Sequence, residues 1–124
     1  MKPSIVSFSL LVAGLAMNFA GCGQTAKTDA TQPLQQSFQT AEPEVRKTIE
    51  TVSTSLKAGK YAEATVALAP LVTQRPLTDA QKQAVGLALQ QVNQAITANP
   101  ALDTKEMYEL RAKMFEAVHR GPRF

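Results

Sequence analysis

Few side chains in this sequence are suited to chemistry. Cys22 is the one cysteine and His119 the one histidine among 124 residues. A thiol ionises close to neutral pH and is then a strong nucleophile, whereas an imidazole can act as an acid, a base or a metal ligand. A metal site needs further ligands, and neither residue has a second His or Cys near it in sequence. A lone cysteine also excludes an internal disulfide, so the chemistry open to Cys22 is modification of its own thiol.

His119 and three carboxylates have ordinary structural explanations. His119 falls in the last turn of the last predicted helix, where a cation complements the helix dipole. Asp103, Glu106 and Glu109 fall at the start of that helix, where capping and solvation account for them. The sequence has no glycine-rich phosphate loop, no Ser–His–Asp arrangement and no Walker pattern. We therefore expect no catalytic residue, no bound metal and no cofactor, and we do not predict an enzyme.

The segment before Cys22 has the three parts of an export signal. Lys2 gives a positive start, 5–20 is mainly apolar, and the small residues Ala20 and Gly21 precede Cys22. A permanent transmembrane helix needs about 20 strongly apolar residues. This run is shorter and is diluted by polar or small residues, so a permanent span is the weaker interpretation, and a buried core helix is weaker still. The diluting residues are Ser7, Ser9, Gly14 and Asn18.

The residues Phe19-Ala20-Gly21-Cys22 resemble the lipobox of bacterial lipoproteins. Phe19 stands where that family usually has Leu or Val. The resemblance implies that a diacylglycerol is joined to the Cys22 thiol, that the signal is cut between Gly21 and Cys22, and that the new amine is acylated. The alternative is a plain secreted protein cut after Ala20, but Asn18 fits the small-x-small rule for such a cut poorly.

These observations divide the chain into a signal peptide (1–21), a lipidated cysteine with a flexible tether (22–33) and a helical domain (34–124). The stretch 23–33 has no large apolar side chain. Its end-to-end distance as a flexible chain is about 18 Å. The resemblance implies a place in the cell envelope, with the membrane contacted through the lipid on Cys22. Because Gly23 stands where an Asp tends to retain lipoproteins of Gram-negative bacteria at the inner membrane, we expect the outer membrane, facing the periplasm.

The charge and composition fit one small helical domain. The chain has 13 Lys and Arg against 10 Asp and Glu, and it has no Trp. This near balance, with no basic run carrying interleaved aromatics, argues against nucleic-acid binding. The part after the signal has about 103 residues, which is enough for one core of aliphatic and alanine side chains.

Apolar residues recur at helical spacing in four main stretches after the tether. A helical pattern starts at 34–40, and Gly59 predicts the end of the helix that begins near Pro43. Pro70 falls inside the next helix, so that helix either stops near Ala69 or is kinked. No sustained alternation predicts a strand, and we expect an all-α fold of about four antiparallel helices arranged as hairpins. The four stretches are 43–57, 60–73, 78–99 and 103–120.

Two capping boxes are predicted, one from Thr78 to Gln81 and one from Asp103 to Glu106. Gly86 costs the third of these helices about 1 kcal/mol relative to Ala, and close packing by a neighbour would compensate. The last helix has a core face with Tyr108 and Phe115 beside it, and its methionines fit core packing better than a soft-metal site. The core face comprises Met107, Leu110, Met114 and Val118.

The stretch 56–76 resembles the second half of a tetratricopeptide repeat, with a Gly-containing turn, a Tyr, a small residue at a helix crossing, large apolar residues and a closing Pro. The resemblance implies a helical hairpin that presents a surface to partner peptides. An unrelated four-helix bundle with a Gly turn is the alternative. The matching positions, which we take as candidate helix-crossing and packing residues, are Tyr61, Ala64, Leu68, Leu71 and Pro76.

Three functional hypotheses follow. The first is a membrane-anchored lipoprotein whose small helical domain binds or scaffolds a protein partner. The second is a self-associating structural lipoprotein that pairs through the alanine-rich face of the long helix 78–99 or through Leu34 and Phe38. The third, with least support, is an envelope enzyme that depends on His119 or on carboxylates.

Overall fold

The computed structural model describes residues 28–120, and Gly21, Cys22 and the signal segment lie outside this range. Residues 28–120 form α-helices and one short 3₁₀ turn, Pro100–Leu102, and contain no strand, which confirms the all-α prediction. Four helices match the predicted stretches, and a fifth, shorter one precedes them. The helices are α1 (Thr31–Ser37), α2 (Pro43–Lys57), α3 (Tyr61–Gln74), α4 (Asp79–Ala98) and α5 (Lys105–Arg120).

The helices surround one core in an order that differs from their order in the chain. α2 packs between α1 and α3, α3 packs between α2 and α5, and α4 joins α5 to α1. In a repeat array each unit packs on its neighbours in sequence. Here α3 packs more extensively on α5 than on α4, although α4 is the helix that follows it in sequence. The arrangement is therefore a closed bundle.

α1 begins at Thr31, three residues before the predicted start of the domain. The Asp29 carboxylate accepts hydrogen bonds from the Thr31 N–H (3.0 Å) and from the Thr31 hydroxyl (2.6 Å). These two bonds hold the pKa of Asp29 below its ordinary value, and the bond from the hydroxyl contributes the larger part. The last residues of the predicted tether are therefore part of the folded domain.

α2 has the predicted start and end. Pro43 is in its first turn and Lys57 in its last. Gly59 follows with φ at +78°, a conformation that a residue with a Cβ adopts at a cost. The Lys60 N–H donates to the Ser55 carbonyl (2.8 Å) and the Gly59 N–H to the Leu56 carbonyl (3.2 Å). This is a Schellman cap, so glycine is required by the geometry of the turn into α3.

α3 continues through Pro70 to Gln74, so of the two predicted alternatives the one in which the helix stops near Ala69 was wrong. Proline removes the bond that its N–H would give to the carbonyl of Val66. Both Pro70 and Val66 are exposed, so water can reach this turn of the helix. The helix ends where Arg75, which precedes Pro76, becomes extended.

α4 starts with the predicted capping box. The Gln81 N–H donates to the Thr78 hydroxyl (3.1 Å), and the Thr78 N–H donates to the Gln81 side chain (3.0 Å). The expectation for Gly86 was wrong, because a Cβ placed there would meet no atom within 4 Å. In residues 28–120, nothing packs closely enough on Gly86 to need a glycine.

The second predicted capping box was also wrong. The residue that caps α5 is Thr104, whose hydroxyl accepts a hydrogen bond from the Met107 N–H (3.1 Å). Asp103 instead binds Arg111, with 2.7 Å between the carboxylate oxygen and the guanidinium nitrogen. The charge-assisted bond to Arg111 holds Asp103, so the neighbouring Thr104 caps the helix instead.

The core is mainly aliphatic and alanine-rich, as the composition predicts, and it also contains Phe38, Met107 and Met114. Four helices meet at a small cavity of about 10 Å³, roughly the volume of one water molecule. Its walls are largely apolar, so we expect it to be dry. The cavity is lined by Val52 and Leu56 of α2, Ala64, Thr65 and Leu68 of α3, Ala88, Leu89 and Val92 of α4, and Met114 of α5.

Candidate functional site

A shallow groove of about 280 Å³ lies between α4 and α5 on the surface of the bundle. The two helices form a hairpin joined by the connection 99–104. The groove has apolar and aromatic walls and one guanidinium group. Its lining residues are Leu89, Asn93, Tyr108, Arg111, Ala112 and Phe115.

Arg111 links the two helices that form the groove. One guanidinium nitrogen donates to the Asn93 side-chain oxygen on α4 (2.6 Å), and the other donates to the Asp103 carboxylate (2.7 Å). The Arg111 side chain is only 18% exposed, whereas that of Asp103 is 46% exposed. Nε of Arg111 is buried without a hydrogen-bond partner. The guanidinium therefore crosslinks α5 to α4 and to the connection between them, and it fixes the shape of the groove.

Tyr108 and Phe115 are the two aromatic side chains of the groove, and they are 63% and 57% exposed. Each follows a buried methionine, Met107 or Met114, by one residue. One residue corresponds to a rotation of about 100° around a helix. The methionines thus enter the core while the aromatic rings stand at its outer edge.

His119 contacts the groove through Phe115. Their rings stack, with centroids 3.9 Å apart and an interplanar angle of 26°. His119 Nδ1 lies 2.9 Å from the Phe115 carbonyl oxygen, so the tautomer with a proton on Nδ1 donates to it. The stacking restricts both rings, the contact with the carbonyl restricts the imidazole, and neither buries the phenyl group.

The residues matched to the repeat lie on one hairpin and its closing turn. Within this set, Tyr61 is half-buried and Pro76 is exposed. The other three face the core: Ala64, Leu68 and Leu71 are buried. The predicted lipidation site Cys22 and the cleavage site between Gly21 and Cys22 lie outside the described residues.

The carboxylates singled out in the sequence do not form a site with His119. Asp103 binds Arg111, and Glu109 lies 4.0 Å from the Lys105 ammonium group. Within residues 28–120, no three His, Cys, Asp or Glu side chains come close enough to hold a metal ion. Nor does this range contain a helix with the length and hydropathy needed to cross a bilayer.

Sequence reasoning missed the polar residues that fix the groove and the start of the domain. Arg111 lies on α5 between core positions, and Gln91 and Gln94 lie one turn apart on α4. The spacing of Tyr108 and Phe115, beside two core methionines, was the one signal for the groove. Nothing in the local sequence marks a glutamine as the acceptor for a distant backbone N–H.

Comparisons with models of protein families, with curated proteins and with solved structures found no match for this chain.

Proposed function

We propose that this chain is a lipid-anchored protein of the bacterial envelope whose helical domain binds an amphipathic helix of a partner protein. The observation that carries the binding role is the pair of exposed aromatic rings, Tyr108 and Phe115, at the groove between α4 and α5. Aromatic and arginine side chains are enriched where proteins bind one another. The groove combines both types.

The form of the groove favours a macromolecular partner over a small molecule. Sites for small molecules usually enclose about 300–1,000 Å³ and bury most of the ligand. This groove holds about 280 Å³ and is open to solvent. It has room for one or two side chains that project from a larger surface.

The spacing along α5 fits a helix as the occupant. Tyr108, Ala112 and Phe115 recur at intervals of four and three residues, so they line one ridge of the helix. Ala112 is the low point between two large rings. A helix that lies along this ridge can place an apolar side chain over Ala112 while the rings contact its flanks.

The polar groups at the groove add a requirement on the partner. The Arg111 guanidinium is held by Asn93 and Asp103, and the Asp103 side chain remains 46% exposed. Because the Asp103 charge is offset by Arg111, a charged group of the partner at this end would compete with that ion pair. We therefore infer a partner helix that places an apolar stripe in the groove.

The anchor in this proposal rests on the sequence around Cys22, which has the signal, the small residues and the single thiol of a lipobox. Two or three acyl chains attach a protein durably to a bilayer, at about 0.8 kcal/mol for each buried CH₂. Intact-mass analysis of the membrane fraction tests this part. We expect a chain that starts at Cys22 and carries acyl mass. A chain that retains Met1, or one without acyl mass, would contradict it.

Photo-crosslinking in the host bacterium tests the binding part. A photoreactive phenylalanine analogue replaces Tyr108 or Phe115 in turn, and Val66, a 50% exposed side chain on α3, serves as the matched control site. We expect one reproducible envelope protein crosslinked from both groove positions and not from Val66. A product with twice the mass of this chain would instead support the self-associating lipoprotein. Equal crosslinking from all three sites would contradict a specific groove.

A further inference from the structure

The residues that follow the predicted anchor are fastened to α4 by two glutamine side chains. The Thr28 N–H donates to the Gln94 side-chain oxygen (2.9 Å), and the Ala30 N–H donates to the Gln91 side-chain oxygen (2.9 Å). Alternate N–H groups of a non-helical segment thus meet glutamines one helical turn apart. These bonds span 66 and 61 positions in sequence, so they join the start of the domain to a distant helix.

The same segment is buried where it meets the bundle. Ala30 and Leu34 are 0% exposed and Thr31 is 4% exposed. Two hydrogen bonds from Thr31 to the Asp29 carboxylate shape the turn into α1. The docked segment is therefore held by side chains in the core as well as by the glutamines.

The contacts of α1 define which end of the bundle the segment enters. Gln94 lies near the carboxyl end of α4, whereas Gln81 at the other end donates its side-chain N–H to the Ser37 carbonyl (3.2 Å). α1 thus runs antiparallel to α4. Lys57, in the last turn of α2, lies at the same end. Its charge, together with the hydrogen bonds from Thr31, lowers the pKa of Asp29.

We propose that Gln91 and Gln94 act as a clamp on the segment after the lipid anchor, so that the domain presents one defined end to the lipid headgroups. That end consists of the turn 58–60 and the connection 99–104. The proposal rests on the proposed lipid anchor at Cys22. In this arrangement the orientation of the domain to the bilayer is restricted, whereas a domain on a long flexible tether would tumble freely.

Chain length supports this geometry. The tether predicted from sequence ran from Cys22 to Pro33, but the chain is already fastened at Thr28. Six residues reach at most about 20 Å. α4 has 20 residues and is about 30 Å long, so its amino-terminal end lies well beyond its carboxyl-terminal end as seen from the anchor. With the clamp closed, a domain that placed the amino-terminal end of α4 on the bilayer would hold Thr28 about as far away as six extended residues reach, so that orientation is disfavoured.

Energy transfer to headgroup-labelled lipids tests the orientation. The mature acylated protein is reconstituted into vesicles of phosphatidylethanolamine and phosphatidylglycerol with a dye on Ala58→Cys or on Ala80→Cys. Both alanines are exposed, one at the proposed membrane end and one in the first turn of α4. We expect strong transfer from position 58 and weak transfer from position 80. In Gln91→Ala/Gln94→Ala the difference between the two positions should become smaller, while the buried Ala30 and Leu34 still hold the start of α1. Gln83→Ala/Gln90→Ala, which changes two exposed glutamines of the same helix, should leave the difference intact.

Amide exchange reports on the clamp itself. Exchange at Thr28 and Ala30 should become roughly ten-fold faster in Gln91→Ala/Gln94→Ala than in the control variant. Unchanged exchange, or equal energy transfer from both labels in an acylated protein, would overturn the clamp while leaving the lipid anchor in place. A protein without acyl mass that does not bind the vesicles would overturn the proposed anchor, and this orientation with it.

Discussion

α4 has two flanks that meet different surroundings. On the closed flank, which we define by Gln91 and Gln94, the chain's own segment 28–34 covers the helix and its N–H groups bind both side chains. On the open flank, defined by Leu89 and Asn93, the groove to α5 is only partly filled. One helix thus faces both a completed contact and an incomplete one.

The side chains of the two flanks should contribute to different properties, those of the closed flank to folding stability and those of the open flank to partner binding. Side chains on the closed flank lose contact with water when the domain folds, so their burial contributes to its stability. Tyr108 and Phe115, on the α5 side of the groove that adjoins the open flank, remain more than half exposed, so most of their apolar area is available to a partner. Substitutions on the closed flank should therefore lower stability, and those on the open flank should lower binding.

Truncation of one apolar side chain on each side gives the largest expected contrast. Leu34→Ala removes a side chain that is 0% exposed and should lower the free energy of unfolding by about 2–5 kcal/mol. Phe115→Ala removes a side chain that is 57% exposed and should change it by only about 0.5 kcal/mol. Urea denaturation of both variants measures the difference.

Partner capture should reverse this order. At a temperature where both variants are folded, Leu34→Ala should keep crosslinking from position 108, and Phe115→Ala should lose most of it. If Phe115→Ala proved as destabilising as Leu34→Ala, the open flank would be part of the folding core and the comparison would fail.

Arg111 should have an intermediate effect because it closes one end of the open flank. Arg111→Ala removes the charge-assisted bonds to Asn93 and Asp103, and we expect a loss of about 1–2 kcal/mol in unfolding free energy. The contribution of the ion pair with the half-exposed Asp103 to this free energy should become smaller in high salt. Lys113→Ala, an exposed cation on the same helix, is the matched control. A loss no larger than that of the control would show that the guanidinium does not hold the two helices together.

The helices themselves could be predicted because their signals are local. Apolar spacing, the Thr78–Gln81 box and Gly59 lie within the elements that they define, and α2, α3 and α4 follow those signals closely. The exception in α3 has a local cause too, since Pro70 lies on an exposed turn where its missing N–H bond costs little.

The rest could not be predicted because it depends on contacts between distant residues. Asp103 and Thr104 are both good caps, and only the position of Arg111 selects the threonine. The polar segment before Thr31 resembles a tether in composition, yet Gln91 and Gln94 hold it in place from α4. Both flanks of α4 are thus fixed by side chains whose partners a single sequence does not reveal.

The two glycines of the described range differ in backbone conformation, and their substitution by Ala should give smaller effects of opposite sign. Gly86 lies on the open flank, and a Cβ there meets nothing within 4 Å, so Gly86→Ala should raise the unfolding free energy by about 1 kcal/mol. Gly59→Ala forces a Cβ into a positive φ and should lower it by about 1–2 kcal/mol. Thermal unfolding distinguishes the two. A destabilised Gly86→Ala would mean that the open flank is more tightly packed than the structure indicates.

The smallest effect concerns the pH response of the closed flank at Asp29. Hydrogen bonds from the Thr31 hydroxyl and N–H, with a smaller contribution from the charge of Lys57, lower its pKa in the folded protein. Folding therefore favours the carboxylate, and this contribution is present above the aspartate pKa of an unfolded chain, about 3.9, and is lost as the pH falls through the lower folded value. The NMR shift of the Thr31 amide should titrate below the ordinary aspartate range, and Asp29→Ala should abolish that titration. A midpoint at or above the ordinary value would mean that the turn into α1 does not favour the charged form. The closed flank would then gain no pH-dependent stability from Asp29, because an unshifted pKa means that the charged and the neutral carboxyl stabilise the docked segment equally.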